Sequence, residues 1–391
     1  MEESVKRALG MVSVERICEI LTELVKRDSE SPPGNEQAVG EYLQEFLTGL
    51  GIASERQFVC KSDDGKKDRF NVTARIEGQD NSLPAYLYVG HIDVVPAGNP
   101  EAWETPAFEP AIRDGKIYGR GSCDMKGSIA CMLHLLECWQ KAGVVPKRPL
   151  ELLFNVDEEY RNRGMNKYLE TEHKIHFAIV GEPTGHKIDL GHRGIMFIST
   201  SFHGRSAHAS RPWLGVNAVE QATVFMNRVK EFSKVLAERE DPQLGPASLT
   251  TTVIHGGTKT NIIPESCVVE TDRRLTVGET IEQAMEEVEA MIRDIPGAVT
   301  RLNAHLPVGW INEDHPEIDH LKRAFREVNG EEAEVSVFTA TCEAGLLSRE
   351  TGVPSVIFGP GNIAQAHQDN EFCELDSLKK AAGTFIAFFA E

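Results

Sequence analysis

The sequence predicts an α/β protein: a mostly parallel sheet between helix layers, interrupted by an inserted β-α-β-β-α-β domain. Two observations carry this. Residues 1–188 and again 307–391 contain short, nearly continuous apolar runs, at Ala85–Val89, Leu150–Val156, Phe177–Val180 and Ser355–Phe358. Runs of that length without alternation mark strands buried on both faces, which are mostly parallel. Between the two parts, residues 189–306 read differently, with longer strand patterns and two long helical ones.

The elements follow in order. Ile129, Met132, Leu133 and Leu136 recur at helical spacing directly after the turn GSCDMKGS, so a helix starts near residue 125. In the middle block, a strand over 194–203 precedes a helix over 216–238. Strands over 248–256 and 266–275 come next, then a helix over 280–294 and a strand over 298–306. This is the split βαβ, or ferredoxin-like, order. The stretch SDDGKKD at 62–68 reads as a solvated surface loop.

The chain is 391 residues long, enough for two domains, and its composition of 41% hydrophobic and 26% charged residues suits a globular protein. A formal net charge of −19 speaks against binding nucleic acid or an anionic membrane. The N-terminal stretch mixes both charge signs and offers no apolar core, so no secretory signal is expected. Eight cysteines without a CxxC pair suggest free thiols and a cytoplasmic setting.

Ligands of open α/β sheets gather outside the carboxyl ends of the strands. Here the strands run into His91 and Asp93 in GHIDVVPAG, into Asp157, Glu158 and Glu159, into Glu182 in VGEPTG, and into the loop that carries His367. Asp124 opens the helix near 125, where it would serve equally well as a helix cap. Each residue alone has an ordinary structural explanation. Their concurrence at strand ends beside Gly or Pro turns points to a metal centre.

Charge counting favours two divalent ions. Asp124, Glu159, Glu182 and one hydroxide balance four positive charges, with His91 and His367 completing the set. A bridging Asp124 leaves each ion an open position, as a catalytic site needs. The ions would lie roughly 3.5–4 Å apart. Nitrogen and oxygen donors suit zinc, with cobalt or manganese as alternatives.

The motifs GHIDVVPAG, GRGSCDMKG, DEE, VGEPTG and AHQDNEF together resemble the metallopeptidase family of acetylornithine deacetylase, succinyl-diaminopimelate desuccinylase, aminoacylase and glutamate carboxypeptidase. The resemblance covers nearly the whole chain. It implies a zinc-peptidase-like catalytic domain with an inserted lid and dimerisation domain, and a homodimer. It also implies that His91, Asp124 and Glu182 hold one metal, and that Asp124, Glu159 and His367 hold the other. Asp93 would orient His91, and Glu158 would be the general base. His208, in SFHGRSAHAS, would reach into the partner's site and polarise the scissile carbonyl.

Asn261 in GGTKTNIIP and Arg274 in ETDRRL match substrate-contacting lid residues, and strand alternation would turn Arg273 away from Arg274. The chain departs from the family in YRNRG after the acidic triplet, which adds Arg161 and Arg163. Cys123 is expected to pack rather than ligate.

The implied reaction is deacylation of a small N-acyl amino acid. N-acetyl-L-ornithine, an arginine-biosynthetic substrate, fits the stretch RPWLGVNAVE and the loop CEAG, where Glu343 would face a cationic side chain or pair with a local arginine. The alternatives are a desuccinylase, a metal-dependent dipeptidase or carboxypeptidase, and a catalytically dead binding module.

Overall fold

The computed structural model describes residues 1–391, which form two compact units: Met1–Gly191 with Trp310–Glu391, and His192–Gly309. The first unit is built on an eight-stranded sheet. Four neighbouring strands at its centre, Leu150–Asn155, Ala85–His91, Ile175–Val180 and Ser355–Ile357, run parallel. They are the apolar runs of the sequence, and their residues are almost all buried.

Ser54–Lys61 and Asp68–Ile76 extend this sheet as an antiparallel pair beside Leu150–Asn155, with 62–67 as their connection. The expected mostly parallel sheet is therefore parallel at its centre and mixed toward its rims. Helix Lys126–Ala142 is buried nearly all round, packed against Leu375–Ala390 and Val14–Val25. It ends at Gly143, whose φ of 68° supplies the left-handed residue that closes many helices. Aromatic contacts such as Tyr88 with Phe385 join sheet and helix layer.

In the second unit, strands Ser248–Gly256, Ser266–Leu275, Gly194–His203 and Ala298–Leu306 form one antiparallel sheet in that spatial order. Helices Ala218–Ala237 and Ile281–Ala290 share a core with one face of it, through Phe225, Val229, Ala284 and Val288. Asn217 and Thr280 cap them by accepting backbone N–H groups of the first turn. The β-α-β-β-α-β order is present.

Candidate metal centre

The carboxyl ends of the central strands bring five sequence-predicted residues together. His91 ends its strand. Asp124 lies in the turn before Lys126–Ala142, Glu159 follows Leu150–Asn155, and Glu182 follows Ile175–Val180. His367 sits in the loop after Ser355–Ile357, with a φ of 61°. Asp124 lies between the two histidines and offers one oxygen to each. Oδ1 is 3.1 Å from His91 Nε2, and Oδ2 is 3.4 Å from His367 Nε2. Glu182 stands 3.9 Å from His91 Nε2, and Glu159 stands 3.1 Å from His367 Nε2. Donor atoms of His91, Asp124 and Glu159 all fall within 4.8 Å of one another.

The backbone orients the His91 ring. Its Nδ1 lies 3.0 Å from the carbonyl oxygen of Asp93, which can only accept, so Nδ1 carries a proton and Nε2 is the nitrogen turned toward Asp124. Burial disfavours charge on this ring, but the hydrogen bond to Asp124 and the charges of Glu182 and Glu158 outweigh it and raise His91 well above its ordinary value. A divalent cation would take the place of the proton on Nε2. Burial pushes Glu158, Glu182 and Glu159 above the usual carboxylate range. Burial works the same way on Asp124, but its bonds to His367 and His91 outweigh it and hold the group low. Asp124 and Glu159 in turn push His367 up to about 10. Such an excess of converging buried acid fits divalent metal.

Asp93 differs from expectation. Its carboxylate is 3.8 Å from His91 Nδ1, too far for a hydrogen bond. It instead accepts the backbone N–H groups of Glu158 and Glu159, both at 3.1 Å. Asp93 thus orients His91 through its main chain and the acidic pair through its side chain. Asp124 makes no side-chain cap to its helix, so the capping alternative falls away.

Glu343 is 1% exposed and accepts from the Asn155 amide, and its charge acts on Glu158 and Glu182. Burial pushes it up to about 8. Arg163 of YRNRG binds Asp157, while Arg161 stacks on exposed Tyr160. Cys123 is buried and its thiol donates to the Asn362 carbonyl.

One contributor was missed, although it lies within AHQDNEF. Fully buried Glu371 accepts from Arg120 at 2.7 Å and from the backbone N–H groups of Gly121, Cys123 and Asp124 at 3.1, 2.9 and 3.0 Å. It fastens the turn that aims Asp124.

In the second unit, a short ribbon pairs Ala207–His208 with Ile262–Ile263, and the Ala209 N–H donates to the Asn261 carbonyl at 3.0 Å. His208 and Asn261 are therefore neighbours. Ser210 engages His208 Nδ1 through its hydroxyl at 2.7 Å and its backbone N–H at 3.2 Å, so Nε2 is the ring nitrogen that Ser210 leaves open. Arg273 is buried against the helix side and paired with Glu279 and Glu287. Arg274 points to the opposite face, where it forks onto Asp272 at 2.8 and 2.9 Å.

The profile of Peptidase family M20/M25/M40 matches residues 87–391. The chain belongs to this family. It is 31% identical over 366 residues to an acetylornithine deacetylase of Myxococcus xanthus, covering 92% of each chain. It is 28% identical over 388 residues to a probable succinyl-diaminopimelate desuccinylase of Staphylococcus epidermidis, covering 91% of this chain and 93% of that one. A tripeptidase structure from Staphylococcus aureus superposes with a TM-score of 0.78 at 21% identity, covering 97% of this chain and 99% of that one. This M20 protein is thus a metallohydrolase acting on amide bonds. None of its helices is long and apolar enough to cross a membrane.

Proposed function

We propose that this M20 enzyme removes the acyl group from a small N-acyl amino acid at a two-metal centre, with N-acetyl-L-ornithine as its substrate. The carrying observation is Asp124, set between His91 and His367 with one oxygen toward each. His91, Asp124 and Glu182 would hold one ion, and Asp124, Glu159 and His367 the other. The donors suit zinc, with cobalt as a substitute. Two such ions supply Lewis acidity, polarising the carbonyl and lowering the pKa of a water to about 7.

The chain's own residues do the rest. Glu158, whose backbone is pinned by Asp93, takes the proton of the attacking water and passes it to the departing amine. His208 Nε2–H donates to the carbonyl oxygen as charge develops there. Asn261 and Arg274 contact the remainder of the substrate. A guanidinium fork is the natural partner of an α-carboxylate, and Arg274 would exchange Asp272 for it.

His208 acts across a homodimer formed through the second unit. Exposed Val224 and Val235 on helix Ala218–Ala237, and Ile254 on the rim strand Ser248–Gly256, support pairing there.

The Myxococcus relative supports the acetylornithine reading; the buried Glu343 lends it nothing. A second reading, removal of an anionic acyl group such as succinyl, is favoured by exposed Arg161 beside the acidic pair. The test compares specificity constants for N-acetyl-ornithine, N-succinyl-diaminopimelate, N-acetyl-methionine and a neutral dipeptide at one pH and metal load. Preference for the succinyl compound or the dipeptide overturns the substrate assignment and leaves the hydrolase standing.

A further inference from the structure

The acidic pair rides on a loop that leaves the sheet at Asp157 and returns at Gly164, and Asp157 holds its return. The Asp157 carbonyl accepts the N–H groups of Arg161 and Asn162 at 3.1 and 2.6 Å. Its carboxylate accepts Arg163 Nε at 2.6 Å and Nη2 at 3.2 Å. The Gly164 N–H then rejoins the strand at the Val156 carbonyl, at 3.1 Å. A Cβ on Gly164 would lie 2.3 Å from that oxygen, so only glycine completes the return.

Two non-glycine residues of this loop, Asp157 and Asn162, have left-handed φ of 68° and 54°. Such conformations persist where surrounding contacts over-determine them.

Charge explains why Arg163 is needed. The Asp157 side chain is fully buried and is met from behind by fully buried Arg69 at 2.7 Å. Arg69 also pairs with buried Glu36. One cation would thus serve two buried carboxylates, and a half-compensated buried charge is costly. Arg163 supplies the second cation, and its side chain belongs to the loop being fixed. Between the fastened ends, Glu158 and Glu159 have their N–H groups on Asp93.

We propose that Arg163 is a positioning residue, which sets the reach of Glu158 by tying the far end of its loop to Asp157. This rests on the reading of Glu158 as the proton-transfer group. The test measures kcat, KM, bound metal and thermal melting for Arg163→Met, Arg163→Lys, Glu158→Gln and the Arg163→Met/Glu158→Gln double variant. The substrate is N-acetyl-ornithine or N-acetyl-methionine, whichever the wild type turns over faster.

Misplacing a reacting group by about 1 Å costs on the order of 10²-fold. Arg163→Met is accordingly expected to lower kcat roughly 10–100-fold, with KM and bound metal nearly unchanged. Arg163→Lys keeps the charge without the fork, and an intermediate kcat is expected. The double variant should be no slower than Glu158→Gln alone, because a residue that acts through Glu158 has nothing left to act on.

Wild-type kcat in Arg163→Met or Arg163→Lys, with Glu158→Gln inactive, overturns the inference alone. So does a loss of kcat that follows metal loss, or a double variant that falls multiplicatively. Full activity in Glu158→Gln overturns the Glu158 reading and the inference with it.

Discussion

Glu371 accepts the backbone N–H of Asp124 at 3.0 Å, and the two residues are 247 positions apart in the chain. The same carboxylate takes Arg120 and two more N–H groups of that turn. Asp124 is therefore aimed from the C-terminal segment, which also supplies His367 four residues before Glu371.

Replacing Glu371 with Ala leaves Arg120 and three N–H groups buried without their acceptor. Breaking a buried pair from one side costs roughly 3–5 kcal/mol. Loss of an outer contact to a metal ligand lowers affinity about 10–100-fold. The expected outcome is a lower melting temperature together with reduced metal binding, read by calorimetry and by metal titration. Wild-type metal affinity in a folded Glu371→Ala protein would show that the turn holds Asp124 without it.

The two neighbouring glutamates should separate by metal content. Glu159 faces His367 and is an assigned ligand, whereas Glu158 is not. Glu158→Gln is expected to lose about 10²–10⁴-fold in rate while retaining up to two ions per chain. Glu159→Gln should bind less metal. Elemental analysis after exhaustive dialysis decides, and the reverse pattern would exchange the two roles. Chelation should abolish hydrolysis of the wild type, and zinc or cobalt should restore it.

Much of this was legible in the residues. Ala85–Val89 and Leu150–Val156 announced strands because burial on both faces leaves no alternation to obscure them. The strands Ser54–Lys61 and Asp68–Ile76 gave no such signal. The first is largely exposed, and the second buries Arg69 and Asn71 within its run. The proposed metal ligands could be found because His91, Glu159 and Glu182 end or closely follow central strands, and Asp124 and His367 lie in Gly-containing turns and loops near them.

What supports those ligands was hidden. Arg69 meets Asp157 across 88 positions, and no spacing rule connects such partners. Glu343 was assigned by resemblance alone, and only the packing shows it enclosed against Asn155.

A pH effect on stability is expected away from the metal centre, at Glu317. Burial raises this carboxyl, but hydrogen bonds from His320, His176 and Tyr86 outweigh it and bring the group down to about 2. A carboxylate with a depressed folded pKa binds fewer protons than in the unfolded chain. Its stabilising contribution is therefore present above the ordinary value of 4.5 and is lost as pH falls from there toward about 2. Glu317→Gln should melt below the wild type near neutral pH, and the gap should narrow as pH drops below about 4.5. A gap that stays constant between pH values of about 6 and 3 would assign the loss to packing rather than charge.

His208 provides the sharpest test of the assembly. Its ring has Nδ1 engaged by Ser210, which leaves Nε2 as the nitrogen to meet a carbonyl oxygen. It lies in the second unit, whereas the proposed metal ligands all belong to the first. Removing an oxyanion donor costs roughly 3–4 kcal/mol in a well-studied hydrolase, so His208→Ala should lose about 10²–10³-fold in kcat with its metals in place. Glu158→Gln is expected to be inactive for a separate reason, the loss of its proton-transfer group. If His208 serves the partner's site, a mixed dimer of the two variants places both defects in one site and leaves the other intact. Mixing the two inactive proteins should then restore up to half the wild-type activity per mixed dimer. If His208 serves its own chain, each site keeps one defect and mixing restores nothing. Subunit exchange is followed independently by fluorescence transfer between labelled chains, so that inactivity despite confirmed exchange rules out action across the dimer.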